Sequence, residues 1–402
     1  MTVIVIGAGF AGLAAADALA AAGTDVVVLE ARDRVGGRVR SEQLPNGAVI
    51  EYGAEFFEQD HEVLRGLCRR FGLEIVPRGM RYSEREPRGV TTTPEAVREV
   101  AERARRAVEA HRGGPVSVRD VLAGVAGDAA AKEAVIARVE VSSGYDAGGV
   151  DGHVLAHFGA SYGGPESDRI VAGNAEVARR LHAALGDRVR LSTPAESVAW
   201  DEAGVRVRAG GEVIEGRAAI VAVPAAVLKT LRFEPALPAA RRDALDRLPI
   251  AAAAKLFVPL AEAPDAPSAT LSVPERYWAW TALGADGRVA PVVCCFAGSA
   301  SALRRLEVDD GPETWLASLR SLRPELALAP DSAVLSTWTD PWARGAYGVQ
   351  SPAAEPGDAD VLTRREGPLV FCGEHTAGDH AGLMEGALRS GLRAADAVGS
   401  RA

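Results

Sequence analysis

The chain has 402 residues, which exceeds one ordinary domain and suggests two or three hydrophobic cores. Hydrophobic residues make up 48% and charged residues 25% of the chain, the usage of a soluble globular protein. The net charge of −9, without a polybasic run, argues against a nucleic-acid partner and against an anionic membrane. The first strand pattern begins at residue 2, which argues against a signal peptide. No apolar run reaches the about 18 residues of a membrane span, so we expect a cytoplasmic protein.

The first 30 residues carry the clearest motif. A β-branched run at residues 2–6 predicts a buried parallel strand, and the alanine-rich stretch 13–22 predicts a helix. Gly7, Gly9 and Gly12 lie between them at G-x-G-x-x-G spacing. In that order the glycines permit a tight turn, a close approach of the backbone to a pyrophosphate, and close packing of helix on strand.

A second predicted strand, residues 25–29, ends at Glu30, eighteen positions after Gly12. A carboxylate there accepts hydrogen bonds from a ribose hydroxyl and repels a 2′-phosphate. The pattern therefore favours the ADP moiety of FAD or NAD over NADP, and it does not choose between the first two. A further turn, Gly36-Gly37-Arg38, places a guanidinium near this unit, where it could neutralise a pyrophosphate.

Residues 49–57 are predicted to form a strand whose small residues, Gly53 and Ala54, let the backbone approach a flat ring. Residues 60–165 are predicted to be mostly helical. From residue 170 an α/β pattern returns, and residues 219–224 predict a strand buried in a sheet. Because this block lies more than a hundred residues after the first motif, we expect the dinucleotide-binding domain to be discontinuous.

Other site patterns are present but incomplete. Residues 159–163 match the G-x-S-x-G nucleophile elbow of hydrolases, yet Gly164-Pro165 is a poor helix start. Asp151, His153 and His157 could be metal ligands, but no further ligand is obvious and no metal is predicted. The four cysteines show no C-x-x-C spacing, which favours free thiols in a reducing compartment.

The second half of the chain supplies candidate chemistry. Lys255 is the single charge in the apolar run 251–258, and a lysine is rarely buried without a partner or a task. Most tryptophans fall between residues 277 and 342, where some could wall an apolar pocket. The strand 369–372, the turn Gly373-Glu374 and a helix at 384–398 predict another βα unit whose helix start could meet a ligand.

Together these features resemble the flavin-dependent amine oxidase family, which includes monoamine, polyamine and L-amino acid oxidases. The resemblance is strongest at residues 3–38, 169–238 and 369–395. It implies an α/β fold with a discontinuous Rossmann-like FAD-binding domain of the GR2 type and an α+β substrate-binding domain. The implied boundaries are 1–60, 168–235 and 345–402 for the first domain, and 61–167 and 236–344 for the second.

The resemblance also implies a site. The ADP half of the cofactor would be held by Gly7, Gly9, Gly12, Glu30 and Arg38, and Val198 would meet the adenine through its backbone. The isoalloxazine would be lined by Gly53, Ala54, Glu55 and Phe56, and the ribityl chain and the ring would be met by Glu374, Gly382, Leu383 and Met384. The cofactor-binding set is completed by Phe10, Ala11, Ala31, Arg32, Gly37 and Gly373. Tyr347, Trp338, Trp280 and Phe296 form the implied substrate pocket, and Lys255 matches the family lysine that holds a water against flavin N5. The alternative for Lys255 is a structural ion pair.

The implied reaction is hydride transfer from the carbon of a neutral amine to flavin N5, after which O2 reoxidises the flavin to give hydrogen peroxide and the imine hydrolyses.

The sequence departs from the family pattern at three positions. Ala346 stands where covalent flavoenzymes have a cysteine, so we predict non-covalent FAD; Leu383 replaces one of two cage tyrosines; and Phe56 replaces the arginine that grips an amino-acid carboxylate. We expect an apolar or aromatic amine or amino-acid derivative as substrate. A desaturase of a specialised metabolite, a non-catalytic flavin-bound partner protein and a homodimer are left open.

Overall fold

The structure, a computed structural model, describes residues 2–158 and 166–399. Within those ranges the helices are α1 (Phe10–Ala21), α2 (Glu62–Phe71), α3 (Pro94–Ala110), α4 (Val118–Gly124), α5 (Ala129–Ser143), α6 (Leu155–Phe158), α7 (Ala175–Leu185), α8 (Ala225–Leu228), α9 (Ala239–Asp246), α10 (Ala300–Arg305), α11 (Glu313–Leu322), α12 (Asp358–Thr363) and α13 (Met384–Gly399). None of these helices is long and apolar enough to cross a membrane.

The strands of the described ranges form three larger sheets and two short ribbons. They are β1 (Val3–Ile6), β2 (Val26–Leu29), β3 (Ser41–Gln43), β4 (Val49–Glu51), β5 (Ile75–Pro77), β6 (Glu86–Arg88), β7 (Asp168–Ile170), β8 (Val189–Arg190), β9 (Ala195–Asp201), β10 (Gly204–Ala209), β11 (Glu212–Gly216), β12 (Ala218–Val221), β13 (Arg232–Glu234), β14 (Ala253–Pro259), β15 (Ser268–Ser272), β16 (Tyr277–Thr281), β17 (Val292–Gly298), β18 (Val334–Thr337) and β19 (Leu369–Phe371).

A parallel sheet in the order β19-β12-β1-β2-β8 forms the nucleotide-binding half. Its strands come from stretches that are far apart in sequence, since β1 pairs with β12 and β12 with β19. Alternation along β1 explains its burial on both faces. Val3 and Val5 pack with α1, α7 and α13, whereas Ile4 and Ile6 pack against the sheet β11-β10-β9-β13.

The second half of the molecule is built on a six-stranded sheet in the order β18-β14-β17-β16-β15-β6. Its two faces have different neighbours because side chains alternate along each strand. Leu256 and Val258 of β14 pack against α11, whereas Phe257, between them, packs with the core that includes α3 and α5. Lys255 lies on the same face as Phe257, and its ammonium reaches the carbonyls of Glu51 and Gly53.

Several element boundaries differ from the sequence-based expectation; for example, β12 ends at Val221 instead of residue 224. Helix α1 begins at Phe10, three residues earlier than predicted. The strand predicted for residues 49–57 ends at Glu51. Beyond Glu51 the backbone N–H groups of Tyr52 and Ala54 still donate to the carbonyls of Arg40 and Arg38. The carbonyls of Glu51 and Gly53 accept hydrogen bonds from Lys255. The predicted division into two domains at the stated boundaries stays a prediction.

Candidate active site

The turn between β1 and α1 forms one wall of a cavity of about 890 Å³. Gly7 has a φ of +104°, and a Cβ added to it would lie 2.9 Å from the carbonyl oxygen of Ala222. A Cβ on Gly12 would lie 1.9 Å from the carbonyl oxygen of Gly7, so Gly12 is required for packing of α1 on β1. At Gly9 a Cβ would meet nothing within 4 Å, which leaves that part of the backbone open to a ligand.

The start of α1 presents the features of an anion site. Its N-cap residue, Gly9, has no side chain, and no acidic residue lies in the first turn. The backbone N–H groups of the first turn therefore lack a side-chain acceptor, and the helix dipole favours a negative charge at this point. Phe10 and Ala11, the first residues of the helix, both line the cavity. Gly391 of α13 packs against α1 here, since its Cβ would lie 2.1 Å from the carbonyl oxygen of Ala11.

Glu30 follows β2 and is 4% exposed. Its carboxylate accepts the backbone N–H of Ala8 at 2.7 Å and that of Arg32 at 2.9 Å. These bonds fix the carboxylate at the cavity wall and leave lone pairs for hydroxyl donors. Ala31 and Arg32 line the same wall, and Arg32 forms an ion pair with Asp340 at 2.7 Å.

Arg38 connects the first segment of the chain with the last. Its Nη1 donates to the carboxylate of Glu374 at 3.0 Å and to the carbonyl of Ala346. The other oxygen of Glu374 accepts the N–H of Gly382 at 3.2 Å. Because Glu374 neutralises Arg38, the arginine offers less charge to a pyrophosphate than the sequence suggested.

The remaining predicted cofactor residues also lie around this cavity. Gly37, Gly53, Ala54, Gly373, Leu383 and Met384 all line it. Gly53 is restricted by its surroundings, since its Cβ would lie 1.9 Å from the carbonyl oxygen of Arg38 and 2.8 Å from the ring of Trp338. Leu383 is 40% exposed, whereas Met384 is buried at the start of α13.

Two predicted cofactor residues do not line the cavity: Gly12, which packs α1 on β1, and Val198. Val198 is fully buried in β9, where it pairs with Val207 of β10 and Phe233 of β13. Ala195, three residues earlier at the start of β9, lines the cavity instead. The start of β9, and not its middle, therefore reaches the cavity where the adenine contact was predicted.

Lys255 lies at the cavity wall and is 6% exposed. Its Nζ donates to the carbonyl of Glu51 at 2.8 Å, to the carbonyl of Gly53 at 2.8 Å and to the carboxylate of Glu55 at 2.6 Å. An ammonium group has three donors. All three are thus used by protein acceptors, and a water held by Lys255 must share one of them.

Glu55 was predicted to line the flavin ring, and its carboxylate has a further role. One oxygen pairs with Lys255 and the other with Arg78, at 2.7 Å. Burial opposes ionisation of Glu55, but the positive charges of Lys255 and Arg78 outweigh it and hold the pKa of Glu55 below its usual range. The ion pair weighed as the alternative for Lys255 is therefore present, and it lies at the cavity.

Four rings form what we call the aromatic wall: Phe56, Tyr82, Trp278 and Trp280. All four line the cavity. Trp278 and Trp280, two residues apart on β16, stack with centroids 4.0 Å apart. Phe56 lies 5.2 Å from Tyr82 and 5.6 Å from Trp280. Alternation along a strand could have placed Trp278 beside Trp280, but Tyr82 follows no periodic pattern in the sequence.

The other predicted pocket residues lie around the same cavity as the aromatic wall. Phe296 is opposite Lys255 across the β14–β17 ladder. Tyr347 donates its hydroxyl to the carbonyl of Ser142 at 2.8 Å, and burial raises the pKa of Tyr347. Trp338 donates its indole N–H to the carbonyl of Tyr52 at 3.2 Å. By contrast, Tyr277 and Trp315 pack in a separate core and do not line the cavity.

The other site patterns of the sequence are a G-x-S-x-G match, a group of candidate metal ligands and four cysteines. The G-x-S-x-G match at residues 159–163 lies outside the described residues. Asp151 and His153 hydrogen-bond to each other at 2.8 Å, and no group of three potential metal ligands occurs in the part of the chain that the structure describes. None of the four cysteines, all of them buried, lines the cavity.

The residues present fit FAD. The open backbone at Gly9, the uncapped start of α1 and the fixed carboxylate of Glu30 suit a pyrophosphate and a ribose. The same cavity continues past Gly53 and Lys255 to the aromatic wall, which suits a flat ring and an apolar ligand.

Comparison with known proteins agrees with this fit. Residues 10–399 match the family model described as flavin containing amine oxidoreductase. The flavin-containing amine oxidase B of Mus musculus is 26% identical over 98% of this chain and 85% of its own. The structure of wild-type putrescine oxidase bound to putrescine has a TM-score of 0.83 and 25% identity over the whole of both chains. Cyclohexylamine oxidase from Brevibacterium oxydans IH-35A shares the fold, with a TM-score of 0.80 and 23% identity over 99% of this chain and 98% of its own. The chain therefore belongs to the flavin-containing amine oxidoreductases, and it is an FAD-dependent oxidoreductase that acts on amines.

Proposed function

We propose that the protein oxidises an apolar or aromatic amine, or an amino-acid derivative, to an imine, with O2 as the electron acceptor and hydrogen peroxide as the second product. The observation that carries this proposal is one continuous cavity that has the dinucleotide cradle at one end, the aromatic wall at the other and Lys255 between them. A substrate against the wall would therefore lie beside the redox-active part of the cofactor.

FAD, when bound, supplies the hydride acceptor and the electrons that reduce oxygen. We infer that segments 1–60, 168–235 and 345–402 hold it, and that 61–167 and 236–344 hold the amine. The cradle supports the ADP half through Gly9, the start of α1 and Glu30. Non-covalent attachment is supported by Ala346, which lines the cavity without a nucleophilic side chain.

The aromatic wall would bind the apolar part of the amine and exclude water. Its rings bury large apolar areas and hold their positions by packing on one another. Glu55 and Glu374, two carboxylates that line the cavity, are both paired with cations. They are thus poor general bases, which supports binding of the amine in its neutral form.

Lys255 would act as a fixed positive charge. Its three hydrogen bonds hold the ammonium at the cavity wall and allow it little reorganisation. A preorganised charge in a water-excluded site stabilises negative charge that develops beside it, at no cost of reorientation. We propose that this charge assists the reaction with oxygen.

The test is turnover of the FAD-loaded protein with a panel of benzylamine, phenethylamine and alkylamines. We expect oxygen uptake, one hydrogen peroxide for each oxygen consumed, and an aldehyde or ketone after hydrolysis of the imine. An alkene product would favour a desaturase instead. Stoichiometric FAD that no amine reduces under anaerobic conditions would favour a non-catalytic flavin-bound protein.

A further inference from the structure

A second, smaller cavity adjoins the first, and we call it the arginine groove. Its volume is about 420 Å³. Four of its residues also line the larger cavity: Arg32, Tyr52, Trp338 and Trp342. Six line the groove alone: Arg34, Arg40, Ser336, Thr337, Asp340 and Pro341. The groove is therefore next to the proposed cofactor site but has a wall of its own.

The lining of the arginine groove carries an excess of positive charge. The guanidinium groups of Arg32, Arg34 and Arg40 face a single carboxylate in that lining, Asp340, although the chain as a whole has a net charge of −9. Asp340 is already paired with Arg32, at 2.7 Å. Arg40 pairs with Glu42, but these side chains are 42% and 44% exposed, and exposed pairs contribute little. The groove therefore attracts anions.

Arg34 is the cation of the groove that has no carboxylate partner among the residues that the structure describes. Its Nη1 donates to the carbonyl of Val35 at 3.2 Å and its Nη2 to that of Gly37 at 3.1 Å, so N–H groups of the guanidinium remain free. Burial, and then the neighbouring charges of Arg32 and Arg40, lower the pKa of Arg34. Arg34 is half-buried and lines the groove, so a ligand can reach it. An oxyanion there would relieve the repulsion between the three arginines.

The groove also presents a free hydroxyl and flat rings. Ser336 is 8% exposed, and its side chain has no hydrogen-bond partner in the described part of the chain. It pairs with Lys255 across the β14–β18 ladder and so shares the sheet face of Phe257, whose ring lies 5.8 Å from that of Tyr52. Arg40 covers the ring of Tyr52 at 4.5 Å. Cations, a hydroxyl donor and aromatic rings thus meet in one space.

We propose that the arginine groove is a binding site for an oxyanion carried on an aromatic ring, an aryl phosphate or an aryl carboxylate. Arg34 would bind the oxyanion through charged hydrogen bonds, and Arg40 and Ser336 would supply further donors. The rings of Tyr52 and Trp342 would pack against the aryl group. The inference goes beyond the proposed amine oxidation and does not depend on it, because Arg34, Arg40 and Ser336 have no part in that reaction.

The test is a calorimetric titration of the FAD-saturated protein, in which the cofactor occupies the larger cavity. The ligands are phenyl phosphate and benzoate, their neutral counterparts phenol and benzamide, and inorganic phosphate, which has no ring. We expect at least one aryl anion to bind about tenfold or more tightly than its neutral counterpart, the usual effect of a charged hydrogen bond. The tighter of the two aryl anions identifies the ligand as a phosphate or a carboxylate. Inorganic phosphate should bind more weakly than phenyl phosphate, because it makes no contact with the rings.

Variants assign the binding to the groove. Arg34→Gln and Arg40→Gln should each weaken binding of the preferred aryl anion, Arg34→Gln by about tenfold or more, and Ser336→Ala should weaken it less. Arg206→Gln is the matched control for Arg40→Gln, since it removes an exposed arginine that pairs with Asp201 at 3.3 Å, and it should keep the wild-type affinity.

Each outcome of these titrations decides the inference. A wild type that binds neither aryl anion more tightly than its neutral counterpart overturns it. So does a preference that persists in both Arg34→Gln and Arg40→Gln, since the anion would then bind elsewhere. If Arg34→Gln does not fold or loses its FAD, the wild-type and Arg40→Gln titrations decide the matter.

Discussion

The two ends of the cavity are built in different ways. The dinucleotide cradle consists of backbone from one short stretch, Gly7 to Gly12, where added Cβ atoms at Gly7 and Gly12 would meet backbone oxygen at 2.9 and 1.9 Å. The aromatic wall consists of side chains from separate segments, Phe56, Tyr82 and β16. The cradle is therefore encoded locally and has no room for a Cβ at Gly7 or Gly12, whereas the shape of the aromatic end depends on long-range packing of side chains. The two ends should fail separately when they are mutated.

The largest effect is expected at the cradle. Gly12→Ala places a methyl group 1.9 Å from the backbone oxygen of Gly7, and no side chain can yield to relieve that overlap. We expect loss of bound FAD and a loss of stability of more than about 4 kcal/mol, the range of severe backbone strain. The ratio of flavin to protein absorbance and thermal unfolding measure both.

Gly66→Ala is the control for Gly12→Ala. Gly66 lies within α2, and the nearest atom to its added Cβ is the end of Arg69, at 3.8 Å. This variant should keep its FAD and gain up to about 1 kcal/mol from helix propensity. A Gly12→Ala protein with full FAD content would contradict the packing argument.

At the junction of the two ends, Lys255→Met should leave FAD content near that of the wild type, because Glu55 keeps its bond to Arg78. Reoxidation by O2 should slow by about 100-fold or more, the usual loss when a preorganised charge is removed. Stopped-flow reoxidation of the reduced protein measures it. Lys229→Met, which removes a surface lysine 3.7 Å from Asp246, is the control. Unchanged reoxidation in Lys255→Met would show that the lysine does not activate oxygen.

Two tryptophan variants, one in the aromatic wall and one in a separate core, should have different effects on KM. Trp280→Leu should keep FAD but raise the KM for an aromatic amine by about 10- to 100-fold, because a stacked ring and its buried area are lost. Trp315→Leu should lower the melting temperature and leave KM unchanged, since Trp315 packs in a core away from the cavity. An unaffected KM in Trp280→Leu would mean that the amine does not contact the wall.

The smallest effect is expected at Glu51, whose carbonyl holds Lys255. Burial raises the pKa of its carboxyl to about 7 from 4.5, against the opposing hydrogen bonds from Ser41 and Asn174. Between those two values the folded state binds more protons than the unfolded chain, so this group lowers stability as pH rises towards 7, and the loss is complete above it.

Glu51→Gln removes that titration. Its melting temperature relative to the wild type should increase by a few degrees as pH rises from 5 to 8, a modest shift for a protein of this size. Thermal unfolding of both proteins at several pH values measures the difference. Parallel profiles of melting temperature against pH would show that Glu51 is not held protonated by burial.

The cradle could be predicted from the sequence because each of its parts is local. Gly7, Gly9 and Gly12 act within one turn, and Glu30 ends the adjacent strand. The alternation of side chains along β14 also predicts that Lys255 lies on the face opposite to Leu256 and Val258. Val198 does not line the cavity, because the cavity meets β9 at its start, and the position where a strand meets a cavity is not visible in its own sequence pattern.

The aromatic end could be predicted only in part. The concentration of tryptophans indicated a pocket, but nothing in the sequence separated Trp280, which lines it, from Trp315, which does not. The ion pair between Lys255 and Glu55 joins residues 200 positions apart, and Glu55 also pairs with Arg78. Such contacts arise from the packing of separate segments, which single-sequence patterns do not describe.

The most direct test of the account is anaerobic reduction of the bound flavin by an aromatic amine, compared in the wild type and in Trp280→Leu at equal FAD content. The account predicts that phenethylamine bleaches the flavin absorbance of the wild type, that admission of O2 restores it with one equivalent of hydrogen peroxide, and that half-maximal bleaching of the variant needs about 10- to 100-fold more amine. FAD-loaded wild-type protein that no amine of the panel reduces, or identical amine dependence in the two proteins, would contradict it.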